Sequence, residues 1–450
     1  MLREIWDAVG GPVAALDRVR FAGAGSLPSS FAVTDLACAA IAAAGLAVSE
    51  RIAAAGARPV ALAVDRRLAS SWFGTSIRPQ GWSPPPPWDP IAGDYAAADG
   101  WIRLHTNAPH HRRAALAVLG VAAERADVAR AVSAWSARAL EDAVVAAGGC
   151  AAAMRSLADW AAHDQGRSVA GEPLVRLRTL EDGPAMHPQC DPARPLRGVR
   201  VLDLTRVLAG PVATRFLAGY GADVLRIDPP DWDEPALAPE MTIGKRPARL
   251  DLRDPAGRAR LLDLLRDSDV LVHGYRCDAL ERLGLGADVR RRARPGLVDV
   301  ALDAYGWTGP WRTRRGFDSL VQMSAGIAEA GMRRLGRDRP TPLPVQALDH
   351  ATGYVMAAAA VLGLVERLRT GRGVEARTSL ARTAALLAAY PQPPDAATIR
   401  PEDPDDLAPA IEETAWGPAR RLRPPLSLPG ASQSWNRAAA PLGSRVAAWD

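Results

Sequence analysis

Lysine is nearly missing from this 450-residue chain: of 55 lysine and arginine residues, only Lys245 is a lysine. In an alanine-rich sequence that imbalance reads as coding bias, and the arginines are spread along the chain rather than gathered in a stripe. Their densest run, Arg290, Arg291, Arg292 and Arg294, stands beside a predicted helix end, where cations are favoured by the dipole. The formal charge of +5 therefore names no nucleic-acid partner. Cysteine is also scarce. Cys38, Cys150, Cys190 and Cys277 lie far apart, with no CxxC pair and no His/Cys spacing suited to zinc, so a reduced, cytoplasmic protein without a metal is expected. No basic segment followed by an apolar stretch and a cleavage site opens the sequence. The longest apolar stretches are alanine-rich, broken by charge or short for a bilayer, so neither secretion nor membrane insertion is expected. What remains, 48% hydrophobic and 23% charged residues, is ordinary for a globular protein of two or three domains.

Proline clusters at Pro84 to Pro87, Pro184 to Pro195 and Pro391 to Pro404 divide the chain. Four segments result: 1–85, with an alanine-rich helix from Asp35 to Ala55 and a short strand from Pro59 to Val64; 86–183, a small α/β domain; 196–390; and a tail, 391–450. The third is the most readable. Strand-like runs Val199 to Leu204, Ala222 to Ile227, Asp269 to Val272 and Leu297 to Leu302 alternate with helical stretches near Gly210 to Gly219, Ala256 to Arg266 and Asp278 to Arg294. Alternation of this kind implies βαβ crossovers and a parallel sheet, with ligands at the carboxyl ends of its strands. The first βα turn, Val201 to Pro211, lacks the GxGxxG of dinucleotide enzymes, which argues against NAD or FAD. Its Gly210-Pro211 start still leaves backbone amides that suit a phosphate or an adenine edge.

That turn opens an ordered series: LAGYGADVLRID at Leu217 to Asp228, GKRPARLDL at Gly244 to Leu252, ALERLGL at Ala279 to Leu285, YGWTGP at Tyr305 to Pro310, Gly316-Phe317-Asp318, ALDHATG at Ala347 to Gly353 and TGRGV at Thr370 to Val374. The series resembles the family III CoA-transferases, also called the carnitine dehydratase and bile-acid-inducible family, over about 190 residues. The resemblance implies a Rossmann-like α/β domain with a smaller α/β domain, acyl-CoA and a free carboxylic acid as substrates, and a homodimer, interlocked in the family.

Carried over by position, Asp349 matches the carboxylate that becomes acylated. A carboxylate can attack a thioester to give a mixed anhydride, then accept CoA as an aspartyl thioester; exchange of one thioester for another is nearly thermoneutral. Asp349 is expected at the N-cap of a long apolar helix, where the dipole and orphan amides favour its ionised form and stabilise an oxyanion. For CoA the resemblance points to the Arg206, Val207, Leu208 and Ala209 backbone, to Leu250, Leu252 and Arg253, to Gly274 and Tyr275, and to Arg282 with Leu283. Basic side chains would meet phosphates there and apolar ones would wall the adenine.

Several residues depart from the family pattern. Asp228-Pro-Pro replaces an acidic-then-basic sequence, Gly274 stands where asparagine is common, and the nearest approach to a glycine-rich loop is Gln80-Gly81-Trp82. Related acyl-CoA racemases carry histidine where this chain has Phe317, which cannot transfer a proton. His350 would point away from its neighbour Asp349, and His105, His110 and His111 are expected to be solvated loop residues. Segment order also differs, with the small domain ahead of the nucleotide-type half. Phe31 to Asp35, with the helix after it, resembles Val345 to Asp349 with its helix, which suggests an imperfect internal repeat; Asp35 is expected to be structural, since no glycine follows it four residues on. CoA transfer leads, a racemase or isomerase is the alternative, and a non-catalytic CoA-binding member is a third reading.

Overall fold

The computed structural model describes residues 1–183 and 191–449, so Cys190 and most of the second proline cluster lie outside the described residues. A seven-stranded sheet organises the fold in the order Lys245–Arg249, Asp223–Asp228, Arg200–Leu204, Val270–His273, Val298–Asp303, Arg372–Ser379, Arg176–Asp182. All neighbours run parallel except the last pair. Leaving aside that antiparallel edge, the chain builds outward from Arg200–Leu204 to one side, then returns to Val270–His273 and builds outward to the other. Doubly wound sheets with this order reverse direction between the first and fourth strands, and the crevice above that reversal is where ligands fit.

Strands at the sheet centre are short β-branched or leucine runs buried on both faces, as in Val270–His273, which is why they were legible. Lys245–Arg249 was not foreseen as a strand. It is rich in charge and contains Pro247, which a sheet tolerates only at an edge, and an edge is where it lies. The helical stretch expected from Asp278 to Arg294 breaks into Ala279–Arg282 and Ala287–Ala293 around Gly284 and Gly286.

Ahead of the sheet, strands Gly93–Ala97, Gly100–Leu104 and Ala151–Ala153 pair antiparallel and carry a separate core with Ile91, Val128, Leu140 and Val144. This small unit docks on the helix Asp318–Ser324: Cys150 and Ala152 pack on Leu320, Met323 and Ala328. Inside the contact, buried Glu141 bridges Arg155 at 2.6 Å and Arg314 at 2.8 Å. The chain then runs through Asp164–Ala170 into the edge strand Arg176–Asp182, so the later part of 86–183 belongs to the large sheet.

The first 85 residues share one core with the large domain. Helix Val33–Ala54 lies against helix Ala347–Thr370, and every residue from Val33 to Ile52 except Asp35 is buried. Both helices, of 22 and 24 residues, are long and apolar enough to cross a membrane by length and composition, contrary to the reading that no apolar stretch is; each is almost wholly buried in the protein. The two begin alike. Ala32 and Gln346 precede them with φ, ψ of −73°, 62° and −74°, 63°, and in each a first-turn amide donates back two residues, Val33 to Phe31 and Ala347 to Val345, at 2.7 Å. Strand, helix, strand, helix follow in the same order in both places: Val19–Ala22, Val33–Ala54, Leu62–Asp65, Arg66–Trp72 against Val298–Asp303, Ala347–Thr370, Arg372–Ser379, Leu380–Ala388. Each pair of strands is parallel. Two further helices, Asp318–Ser324 and Ile327–Arg334, stand between the strand and the long helix in the second place only, so the two places share the order of four elements and not all that lies between them. The tail packs back on both halves, with Trp435 donating to the Arg215 carbonyl, Trp449 to that of Leu264, and Leu426–Ser427 pairing with the strand Leu62–Asp65.

Candidate active site

Where the sheet order reverses, the turns after Arg200–Leu204 and Val270–His273 open into a cavity of about 340 Å³. Thr205, Arg206, Val207 and Ala209 line it from the first turn, Gly274, Tyr275 and Arg276 from the second, and Asp349 from the start of the long helix. A second cavity, of about 250 Å³, lies beside it and shares His110, Arg206, Trp232 and Tyr275 with it; Leu250, Leu252 and Leu283 supply apolar wall.

The first turn is held from beneath. Asp203, buried in the strand, accepts from Thr205 and Thr214 and pairs with Lys245 at 3.1 Å. Burial pushes the Lys245 ammonium down to about 8, against the pull of Asp203. Val207 has φ of 64°, a left-handed conformation that a β-branched residue rarely adopts. Its amide donates to Glu234 at 2.6 Å, and Glu234 is itself fixed by Arg226 at 2.8 Å and by the Trp232 indole. Buried ionic groups thus hold the strained turn that borders the cavity. Arg206 lies between the Trp232 and Tyr275 rings, 4.9 and 5.1 Å from their centroids, a cation held without a carboxylate partner among the described residues.

Asp349 is not the N-cap. Gln346 holds that position, and Asp349 is the third residue of the helix Ala347–Thr370. The orphan amides go instead to Asp318, whose carboxylate accepts from the Asp349 amide at 2.9 Å, from the Leu348 amide and from Gln322. Burial still pushes Asp318 up to about 6. Asp349, 8% exposed, is held well above the usual carboxylate range by burial and by the Asp318 charge. The expectation that the helix keeps Asp349 ionised is thus corrected, because the helix terminus spends its amides on the neighbouring carboxylate. Asp303, on the same cavity, is likewise raised by burial, with Glu172 adding to it.

Of the residues expected around CoA, Arg206, Val207, Ala209, Gly274 and Tyr275 line the inner cavity, and Leu250, Leu252, Arg253 and Leu283 the outer one. Leu208 and Arg282 line neither. Leu208 turns into the core as the residue capping the helix Ala209–Gly219, and Arg282 extends into solvent paired with Asp278 at 2.5 Å. Arg253 is exposed and pairs with Asp251 at 2.8 Å and Asp231 at 3.2 Å. Asp35, half exposed and paired with Arg66 at 2.7 Å, lines neither cavity. Trp82 stacks on Trp416, and Gln80-Gly81-Trp82 forms no wall of either cavity.

The histidines are the main correction. His105 and His111 are not solvated: they are 5% and 3% exposed. His105 stacks on Phe317 with centroids 3.8 Å apart and planes 1° apart, and His111 meets the edge of the same ring at 5.9 Å. His110 and His111 both line the inner cavity. Docking of the small unit on Asp318–Ser324 buries His105 and His111 while His110 stays exposed, and nothing local in the sequence encodes that contact; the tandem pair behind Pro109, the first residue of a helix, was the available signal. His350 does turn away from the cavity, stacking on Phe73 at 5.1 Å. Arg276 and Arg315, also on the inner cavity, were missed and carry no ion pair among the described residues. Three or more acidic or sulfur and imidazole groups placed to hold a metal ion do not occur among the described residues.

Residues 196–406 match CoA-transferase family III. Similar curated proteins include the succinyl-CoA:glutarate CoA-transferase of Mus musculus, 34% identical over 200 residues that cover 41% of this chain and 45% of that one. Another is a probable fatty acyl-CoA transferase, Rv3272, of Mycobacterium tuberculosis, 34% identical over 198 residues, covering 41% and 50%. A crystal structure of Rv3272 aligns with 30% identity and a TM-score of 0.39, covering 44% of this chain and 58% of that one. The chain spans between about a third and about half of the length of the curated relatives it matches.

Proposed function

We propose that this chain moves CoA from an acyl-CoA thioester to a free carboxylic acid, with Asp349 as the residue that carries the acyl group; the match of residues 196–406 to CoA-transferase family III supports the reading. One observation carries the reading: Asp349 lines the inner cavity, and that cavity meets the outer one at Arg206, Trp232 and Tyr275. An extended CoA can then lie with its adenine against Leu250, Leu252 and Leu283, its phosphates near Arg206, and its thioester beside Asp349. The Asp349 carboxylate attacks the thioester carbon and releases the CoA thiolate, leaving a mixed anhydride. The thiolate returns to the Asp349 acyl carbon and expels the donor acid, and the acceptor acid takes CoA by the reverse sequence. Every bond broken is matched by one of the same kind formed, so no nucleotide triphosphate enters. The same reading places the protein in the cytoplasm as a homodimer, which light scattering checks.

Incubation with hydroxylamine should inactivate the protein only when acyl-CoA is present, with the modification at Asp349, and Asp349→Ala should lose transfer by at least about a thousandfold. Full activity in Asp349→Ala sinks the reading. The racemase alternative gains one observation, an imidazole at His111 on the cavity that Phe317 had seemed to deny. Burial, with neighbouring cationic groups, pushes that imidazole down to about 3, which makes it a poor proton acceptor at neutral pH. Exchange of the α-hydrogen for deuterium without any acceptor acid would favour the alternative.

A further inference from the structure

His111 presents a problem of unmet hydrogen bonding. Its side chain is 3% exposed, and among the described residues neither Nδ1 nor Nε2 has a partner. A buried imidazole with both nitrogens idle is a standing penalty unless something completes it. Its position says what can. His111 lines the same cavity as Asp349, Arg206 and Arg276, in the first turn of the helix Pro109–Leu119, with the Phe317 ring edge-on at 5.9 Å. His105, flat against the other part of Phe317, restricts the ring further.

We infer that His111 hydrogen-bonds the carbonyl oxygen of the acyl group undergoing transfer, donating its ring N–H to the oxyanion formed when Asp349 attacks. The inference rests on the transferase reading above and adds to it a contact contributed by the small unit. In the step concerned, an Asp349 oxygen forms a bond to the thioester carbon and the carbonyl π pair moves onto oxygen. Collapse restores the C=O and breaks the C–S bond, releasing the CoA thiolate. His111 keeps its proton throughout. A neutral imidazole suits this role, since burial and the nearby His110, His105, Arg315 and Arg206 hold its pKa at about 3, and its single N–H then has one function, donation. Donors aimed at a developing oxyanion in a site sheltered from water act most strongly in the transition state.

Two variants and two probes test it. CoA lacks the carbonyl, whereas acetonyl-CoA, an unreactive ketone, carries one a single methylene away from the sulfur. Calorimetry on the wild-type protein should give tighter binding of acetonyl-CoA than of CoA by roughly five- to tenfold. His111→Phe, which keeps a ring against Phe317, should abolish that preference and leave CoA affinity unchanged. In turnover with acetyl-CoA, His111→Phe should lower kcat/KM by about 10²–10³-fold, and His111→Gln, which retains an N–H donor, should recover part of it. If no acceptor acid supports turnover, the transferase reading fails while the binding contrast still reports on His111. A wild-type protein without the preference, or a His111→Phe protein that keeps it, overturns the inference. So does a parallel loss of CoA binding in both variants, which assigns His111 to packing alone.

Discussion

Asp318 and Asp349 occupy one buried site on unequal terms. Asp318 accepts two helix amides and Gln322, while no hydrogen bond from the described residues reaches the Asp349 carboxyl. The proton therefore favours Asp349 and the charge Asp318, and the two titrate as a pair. Attack on a thioester needs Asp349 ionised, so activity must rise as pH increases through a value set above the ordinary carboxylate range. A pH profile of kcat/KM should show its acid limb above the ordinary carboxylate range, and Asp318→Asn, which removes the like charge and keeps a carbonyl to accept the helix amides, should move that limb down. A limb near pH 4 in the wild type, unmoved by Asp318→Asn, would contradict the arrangement. Sequence could find Asp349, because a motif surrounds it. It could not find which of two aspartates takes the helix amides, because that depends on a contact 31 residues apart.

At the scale of elements, the long helix reaches the first βα turn through a glycine. A Cβ at Gly353 would lie 2.4 Å from the Ala209 carbonyl oxygen and 2.8 Å from the Val212 Cβ, so the helices Ala347–Thr370 and Ala209–Gly219 can meet this closely only with hydrogen at that position. Gly353→Ala should cost about 1–3 kcal/mol of stability and lower CoA affinity, since the pushed helix shifts the turn at Arg206 to Ala209. Thermal melting with CoA titration checks this against Gly171→Ala, where the added carbon meets nothing nearer than 3.5 Å and stability should hold. The parallel core strands and the two aspartate helices were legible, because burial on both faces writes itself as unbroken apolar runs. The edge strands Lys245–Arg249 and Arg176–Asp182 were not: an edge carries charge and tolerates proline, so its sequence looks like a loop.

Over the whole molecule, docking of the small unit converts surface histidines into buried ones, and this is the part of the site that was least legible. It also sets a response to acid. His105, His111 and His350 are each held at about 3 by burial, whereas an unfolded chain takes up their protons near 6.5. The unfolded state binds more protons between those values, so these groups favour folding above about pH 6.5 and progressively oppose it as pH falls, each by up to about 1.4 kcal/mol per pH unit. Comparing melts of His350→Phe with the wild type from pH 7 to pH 5 should show the variant gaining relative stability as pH drops. A constant difference across that range would mean that the imidazole takes up its proton in the fold as it does in the unfolded chain, and would contradict this.

The two aspartate helices lie side by side in one chain with matching first turns, yet position 39, which corresponds to Gly353, is alanine, and Asp35 is tied to Arg66 at the surface. In an assembly of identical subunits a substitution is inherited by both partners at once. Here the copies sit at separate addresses in one gene product. A change at Asp35 or Ala39 therefore leaves Asp349 and Gly353 as they are, so the two helix starts can differ within every molecule.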